Sequence, residues 1–198
     1  MTPDNPMTAE RIEALFTQTD QGFHCARWGR PVAPVIFGLA DETLDIFRSA
    51  IKAGFTHAGH PVVETDPEMG ANLMVFFLRS WDELSDIPDL AHLTGIPDLP
   101  QRLKGSQASQ YRLFRHDGDD SIRACMIFLN MSGPLAEAHP AKLAERVMMQ
   151  SALTFATDFV ADAQMAALIR AAYDPVLPVA SDQPTHALRL AARMTAQA

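Results

Sequence analysis

The chain has 198 residues, 47% of them hydrophobic, and 24 acidic against 16 basic side chains give a formal charge of -8. Such a length suits one domain around one core, since single domains commonly run to about 100–200 residues. The acidic balance excludes a general nucleic-acid binder and a polybasic membrane binder. Cys25 and Cys125 are the only cysteines and stand far apart, which excludes a disulfide framework and a zinc ribbon. The first seven residues carry acid and proline where a secretory signal needs positive charge and an apolar run. Apolar runs such as Leu73 to Leu78 fall far short of the ~20 residues that span a bilayer. A cytoplasmic protein with no membrane contact is expected.

Residues 1–10 read as a frayed lead-in, followed by a short helix over Ala9 to Phe16 with Ile12, Leu15 and Phe16 on one side. Val32 to Phe37 reads as the first strand, and Pro34 inside it marks an edge position or a late start. Asp41 is the expected N-cap of the next helix, whose Leu44, Phe47, Ile51 and Phe55 form one stripe that closes near Gly54 and Gly59. Ala71 to Leu78 is apolar almost throughout, as a strand covered on both faces should be. Ser80 to Glu83 matches a capping box that opens another short helix. Strand, helix and strand in that order predict a parallel, right-handed crossover.

Pro88, Pro97 and Pro100 punctuate residues 86–105, which read as two short helical turns. Tyr111 to Phe114 and Ile122 to Leu129 form a hairpin around Asp117-Gly118, a strong two-residue turn signal. Alternation places Tyr111, Leu113, Ile122, Ala124, Met126 and Phe128 on one face. A long core helix is expected over Pro140 to Val160, with only Gln150, Thr154 and Asp158 on a polar stripe. Further helices cover about Gln164 to Tyr173 and Pro184 to Met194. The whole chain, residues 1–198, is thus expected to be a single α+β domain. Its mixed central sheet has a right-handed βαβ crossover, a hairpin and a long core helix packed on it.

Chemistry-bearing motifs are sparse. No GxSxG elbow, GxGxxG fingerprint or Walker loop occurs. His57 and His60 are the one histidine pair at metal-ligand spacing, with His24 a distant third contributor, although Gly59 should end the helix between them. The plainer alternative is a solvated helix end where histidine complements the macrodipole. The two-residue turn would set Arg112 opposite Arg123, and like charges facing each other in a sheet are destabilising. Either solvent and a carboxylate such as Asp82 or Glu83 screen them, or the two form a fork for an anionic group.

The order of elements, Ala71-Asn72 before the apolar strand, and Tyr173-Asp174-Pro175-Val176-Leu177 after the core helices together resemble a proteobacterial family of uncharacterised, zincin-like proteins. The resemblance covers residues 28–195 and implies a scaffold related to metalloproteases. Zinc proteases need His-Glu-x-x-His on the core helix, so that two imidazoles meet one metal. Here that stretch reads Arg146-Val147-Met148-Met149-Gln150-Ser151-Ala152-Leu153, and the helix carries only Glu145 and Asp158 as carboxylates. The expectation is therefore a non-catalytic binding or interaction module with no cofactor, whose partner is a small anion or another protein. The alternative is a metal-dependent hydrolase or peptidase-like enzyme with a non-standard site, built on His57 and His60.

Overall fold

The computed structural model describes residues 6–197, so the expected lead-in lies outside the described residues as far as residue 5. Helix α1 (Ala9–Phe16) starts behind Thr8, whose hydroxyl accepts a hydrogen bond from the Arg11 amide. It leads into a small hairpin of β1 (Thr17–Gln18) and β2 (Gly22–Phe23), then into β3 (Cys25–Ala26). Strand β4 (Pro34–Phe37) begins at its proline, and Val32 makes only an isolated bridge to Val62. Helix α2 (Asp41–His57) buries Phe47, Ile51 and Phe55. Asp41 is its first residue and not its N-cap: Ala40 holds that place without a side-chain bond. Asp41 and Glu42 instead complement the helix dipole.

Strand β5 (Leu73–Leu78) precedes a 3-10 turn over Trp81–Asp86 and helices α3 (Leu90–Thr94) and α4 (Leu99–Ser106). Strands β6 (Gln110–His116) and β7 (Ile122–Asn130) form the hairpin. Helices α5 (Pro140–Ala152) and α6 (Ala163–Ala172), the short strand β8 (Ala180–Ser181) and helix α7 (His186–Gln197) complete the chain. The main sheet runs β4-β5-β7-β6 in space. Strands β4, β5 and β7 are parallel, and β6 lies antiparallel to β7 on the outer edge. Among the described residues, no helix is long and apolar enough to cross a membrane.

Both faces of this sheet are covered, which is why β5 and β7 are apolar on successive residues. Leu73, Val75, Phe77, Cys125, Ile127 and Leu129 face the larger core, where α2 packs on α5. Met126, Phe128 and Leu78 face a smaller core with Trp81, Leu84, Leu99 and Leu103. Asn72, fully buried, ties the three parallel strands together at their start. Its side chain accepts the Ala33 amide at 2.7 Å and donates to the Pro31 carbonyl at 2.9 Å, while its own carbonyl accepts the Cys125 amide at 2.8 Å.

Two further sequence expectations are corrected. The hairpin turn is not two residues long. Asp119 accepts both the amide and the hydroxyl of Ser121, Asp120 takes a left-handed φ of 63°, and the register shifts beside Arg115. Arg112 consequently faces Ile127, Arg115 faces Ala124, and Arg123 is the extra residue of a bulge. The bulge also swings Ile122 to the face that carries Cys125, opposite to the side simple alternation gives.

The core helix stops at Ala152 and does not reach Val160. Leu153 is extended and bridges Arg27, the Thr154 amide donates to the Ala26 carbonyl at 3.2 Å, and the Ala156 amide donates to the Leu15 carbonyl at 2.7 Å. Apolar periodicity continues through Phe155 and Phe159, but bonds to the N-terminal segments take the backbone out of the helix. Gln150 and Thr154, expected on a polar stripe, are buried.

Candidate functional site: a cleft along the outer strand

A helix leaves its last carbonyls without intrahelical donors, and a buried helix end must find them elsewhere. The end of α5 does so with side chains from distant parts of the chain and with its own Ser151. Arg112 donates to the Gln150 carbonyl at 2.8 Å, and Trp28 Nε1 to the Ser151 carbonyl at 2.7 Å. The Tyr173 hydroxyl donates to the Ala152 carbonyl at 2.8 Å, and the Ser151 hydroxyl to the Met148 carbonyl at 2.7 Å. Arg112 also donates to the Phe155 carbonyl just beyond. Its positive charge at this end suits the helix dipole. Burial lowers its pKa somewhat, yet a guanidinium keeps its proton.

This abrupt end turns Thr154 to Asp158 into the wall of a cleft of about 620 Å³. Its floor is β6, from which Gln110, Arg112, Phe114 and His116 recur at the two-residue period of one sheet face. The opposite wall comes from the small β1–β2 hairpin and its neighbour His24. Ligand pockets commonly measure about 300–1,000 Å³, so the size suits a small molecule or a short stretch of chain.

The polar groups of the cleft are arranged by charge. At one end Asp158 accepts from Gln110 Nε2 at 3.1 Å and from Arg146 at 3.3 Å. At the other end His24 and His116 meet edge to face, with ring centroids 5.2 Å apart. His24 Nδ1 lies 2.6 Å from Asp182, the residue after β8. Burial, reinforced by the neighbouring His24, holds His116 below the usual histidine pKa, and Asp120 partly offsets this. Arg112 sits between the two ends with its guanidinium 5.2 Å over the Phe114 ring. Two buried polar atoms without a partner among the described residues, His24 Nε2 and Gln110 Oε1, belong to side chains that line this cleft. Such atoms carry a desolvation cost that a ligand or water can relieve.

The residues singled out by sequence fall in different places. Arg112 lines the cleft, whereas Arg123 donates to Glu68 at 3.2 Å in a surface network with Arg30 and Asp117. Arg30 grips Asp117 through two nitrogens, at 3.1 and 2.9 Å, and reaches Glu68 at 3.0 Å. The two guanidinium groups thus have separate partners, and the expected facing pair does not form. His57 is exposed at the end of α2, while His60 Nε2 donates to the Arg30 carbonyl at 2.9 Å. Among the described residues, no group of three His, Cys, Asp or Glu side chains is placed to hold a metal ion.

Cys25 and Cys125 are free and buried, and burial pushes the Cys125 thiol up to about 12, the behaviour of an inert core thiol. The Tyr173-Asp174 segment is architectural. Tyr173 closes the end of α5, and Asp174 accepts from the Val176 amide, Gln197 and Arg193, which joins α6 to α7. The Val176 amide, with Arg193 and Gln197 added, holds the Asp174 carboxyl below the usual range. His24 and His116 carry no joint sequence signal, since only the fold brings them together. No family model, no curated protein and no solved structure matches this chain.

Proposed function

We propose that the protein is a non-catalytic binding module on a zincin-like scaffold of bacterial origin, and that the cleft along β6 takes an extended peptide segment of a partner protein. One observation carries this reading: β6 ends the sheet, no described strand pairs with its outer side, and that strand is also the floor of the cleft. An edge strand presents a row of backbone donors and acceptors, and a peptide that adds to it gains main-chain bonds. Alternate side chains of the added strand would enter the cleft, where Gln110, Asp158, His24 and His116 offer polar partners. The α5 sequence holds no His-Glu-x-x-His pattern, so the proposal invokes no zinc-assisted hydrolysis on this helix. The two free, buried thiols fit a reducing cytoplasm.

The test is selection from a random octapeptide library on the immobilised full chain, followed by fluorescence anisotropy of the selected peptides. N-methylation of two alternate backbone amides should weaken binding about tenfold or more, at about 1 kcal/mol for each lost bond. Binding indifferent to N-methylation at every position, or no selected peptide, would contradict strand addition.

A further inference from the structure

The His24–His116 end of the cleft has a chemistry that narrows the partner. Two basic groups, His24 and His116, stand at this end, and Arg112 lies further along β6 in the same cleft. The acid at the opposite end, Asp158, is engaged by Gln110 and Arg146. Asp182 from the β8 side is bound to His24 Nδ1, and His24 Nε2, which has no partner among the described residues, becomes a donor only when the ring is protonated. His116 stands at the end of β6 with ring contacts to His24 and Phe114, and among the described residues its ring has no hydrogen-bond partner. The other charges near this end are Asp120 and Asp119 in the hairpin turn, the latter held by Ser121, and Arg189 across the hollow beyond Asp182. On a chain of charge -8, the protonated forms of these two imidazoles and the remaining Arg112 donors suit an acceptor of negative charge.

We propose that the His24–His116 corner is a carboxylate subsite, so that the peptide taken along β6 carries an acidic side chain or its own C-terminal carboxylate at that end. The inference rests on the peptide-binding reading above and adds to it the chemical class of the ligand. A carboxylate placed there accepts from the protonated His116 ring and favours its charged form, against the burial that now disfavours it. Binding above the free histidine pKa therefore takes up a proton, and affinity rises as pH falls. Arg112 supplies a fixed positive charge at every pH, although two of its donors are committed to the Gln150 and Phe155 carbonyls.

The experiment measures anisotropy of a selected octapeptide from pH 7.5 to 5.5 in four forms: glutamate-containing, its glutamine counterpart, and each with a free or an amidated C-terminus. The expected result is an affinity gain of about tenfold toward low pH for the carboxylate-bearing form, and a flat profile for the amidated glutamine form. The free and amidated termini tell a side-chain carboxylate from a terminal one. His116→Gln should flatten the gain, and in the wild-type chain the NMR titration of the His116 ring should move to higher pH on binding. That last readout needs no variant to fold. Identical profiles for all four peptides, or an unmoved His116 titration, would overturn the carboxylate subsite while leaving strand addition in place. Failure of every peptide to bind would remove both.

Discussion

Replacing Tyr173 by phenylalanine removes one oxygen from the centre of the fold and leaves the ring. The hydroxyl donates to the Ala152 carbonyl at 2.8 Å, and the Trp28 amide points at it from 3.5 Å. The second contact is at the limit of hydrogen bonding and contributes little. The ring keeps its packing against His60, at 5.0 Å, and Phe55, at 6.4 Å between centroids. What changes is the last carbonyl of α5, which becomes a buried acceptor without a donor. A net hydrogen bond is worth about 1 kcal/mol, and an unsatisfied buried group costs about 1–3 kcal/mol, so a loss near 2 kcal/mol is expected. For a chain of this size that lowers Tm by about 4–8 °C. Urea unfolding followed by tryptophan fluorescence and circular dichroism gives the free energy directly. Tyr111→Phe is the control, since the hydroxyl of that half-buried residue has no hydrogen-bond partner among the described residues. A Tyr173→Phe chain as stable as the control would refute the view that side chains from elsewhere in the chain set where α5 ends.

Phe155 stacks on Phe16 at 4.9 Å and meets Phe159 at 4.6 Å, with only 3% of its surface exposed. Phe155→Ala should cost about 3–5 kcal/mol in urea unfolding, and an unchanged midpoint would place this face at the surface. Burial holds His60, His116 and His186 below their ordinary value of 6.5. The unfolded chain therefore binds more protons in the window just below that value, so stability is full above it and falls as pH drops toward the folded values. Urea midpoints at pH 7.5 and 5.5 check the sign, and a midpoint that rises on acidification would contradict it. A chelator should leave Tm unchanged, given the described side chains, and a chelator-dependent drop would reveal coordination by residues not recognised as a set.

Much of the fold was legible because local chemistry and tertiary packing agree there. The unbroken apolarity of Leu73 to Leu78 does mark a strand covered on both faces, and Pro34 does mark the first residue of an edge strand. Three of the four α2 stripe residues, Phe47, Ile51 and Phe55, are buried as their spacing predicts, whereas Leu44 is only half-buried. Legibility fails where distant residues decide. The apolar period of α5 runs on through Phe155, and only the arrival of Arg27, Ala26 and Leu15 shows why the helix ends before it. Asp117-Gly118 reads as a two-residue turn, whereas Ser121, 1% exposed, draws in Asp119 and lengthens the loop. That one difference separates Arg112 from Arg123. The cleft itself has no linear signature: Arg112 is shared between a helix cap and a binding surface, and His24 reaches His116 only through the folded sheet.

Amide hydrogen exchange on the full chain, with and without a selected octapeptide, tests strand addition at β6 most directly. The peptide should slow exchange at alternate amides between Gln110 and His116, those directed away from β7, and leave the exposed end of α2 near His57 unchanged. Protection confined to α2 and α5, with β6 exchanging as in the free protein, would contradict it.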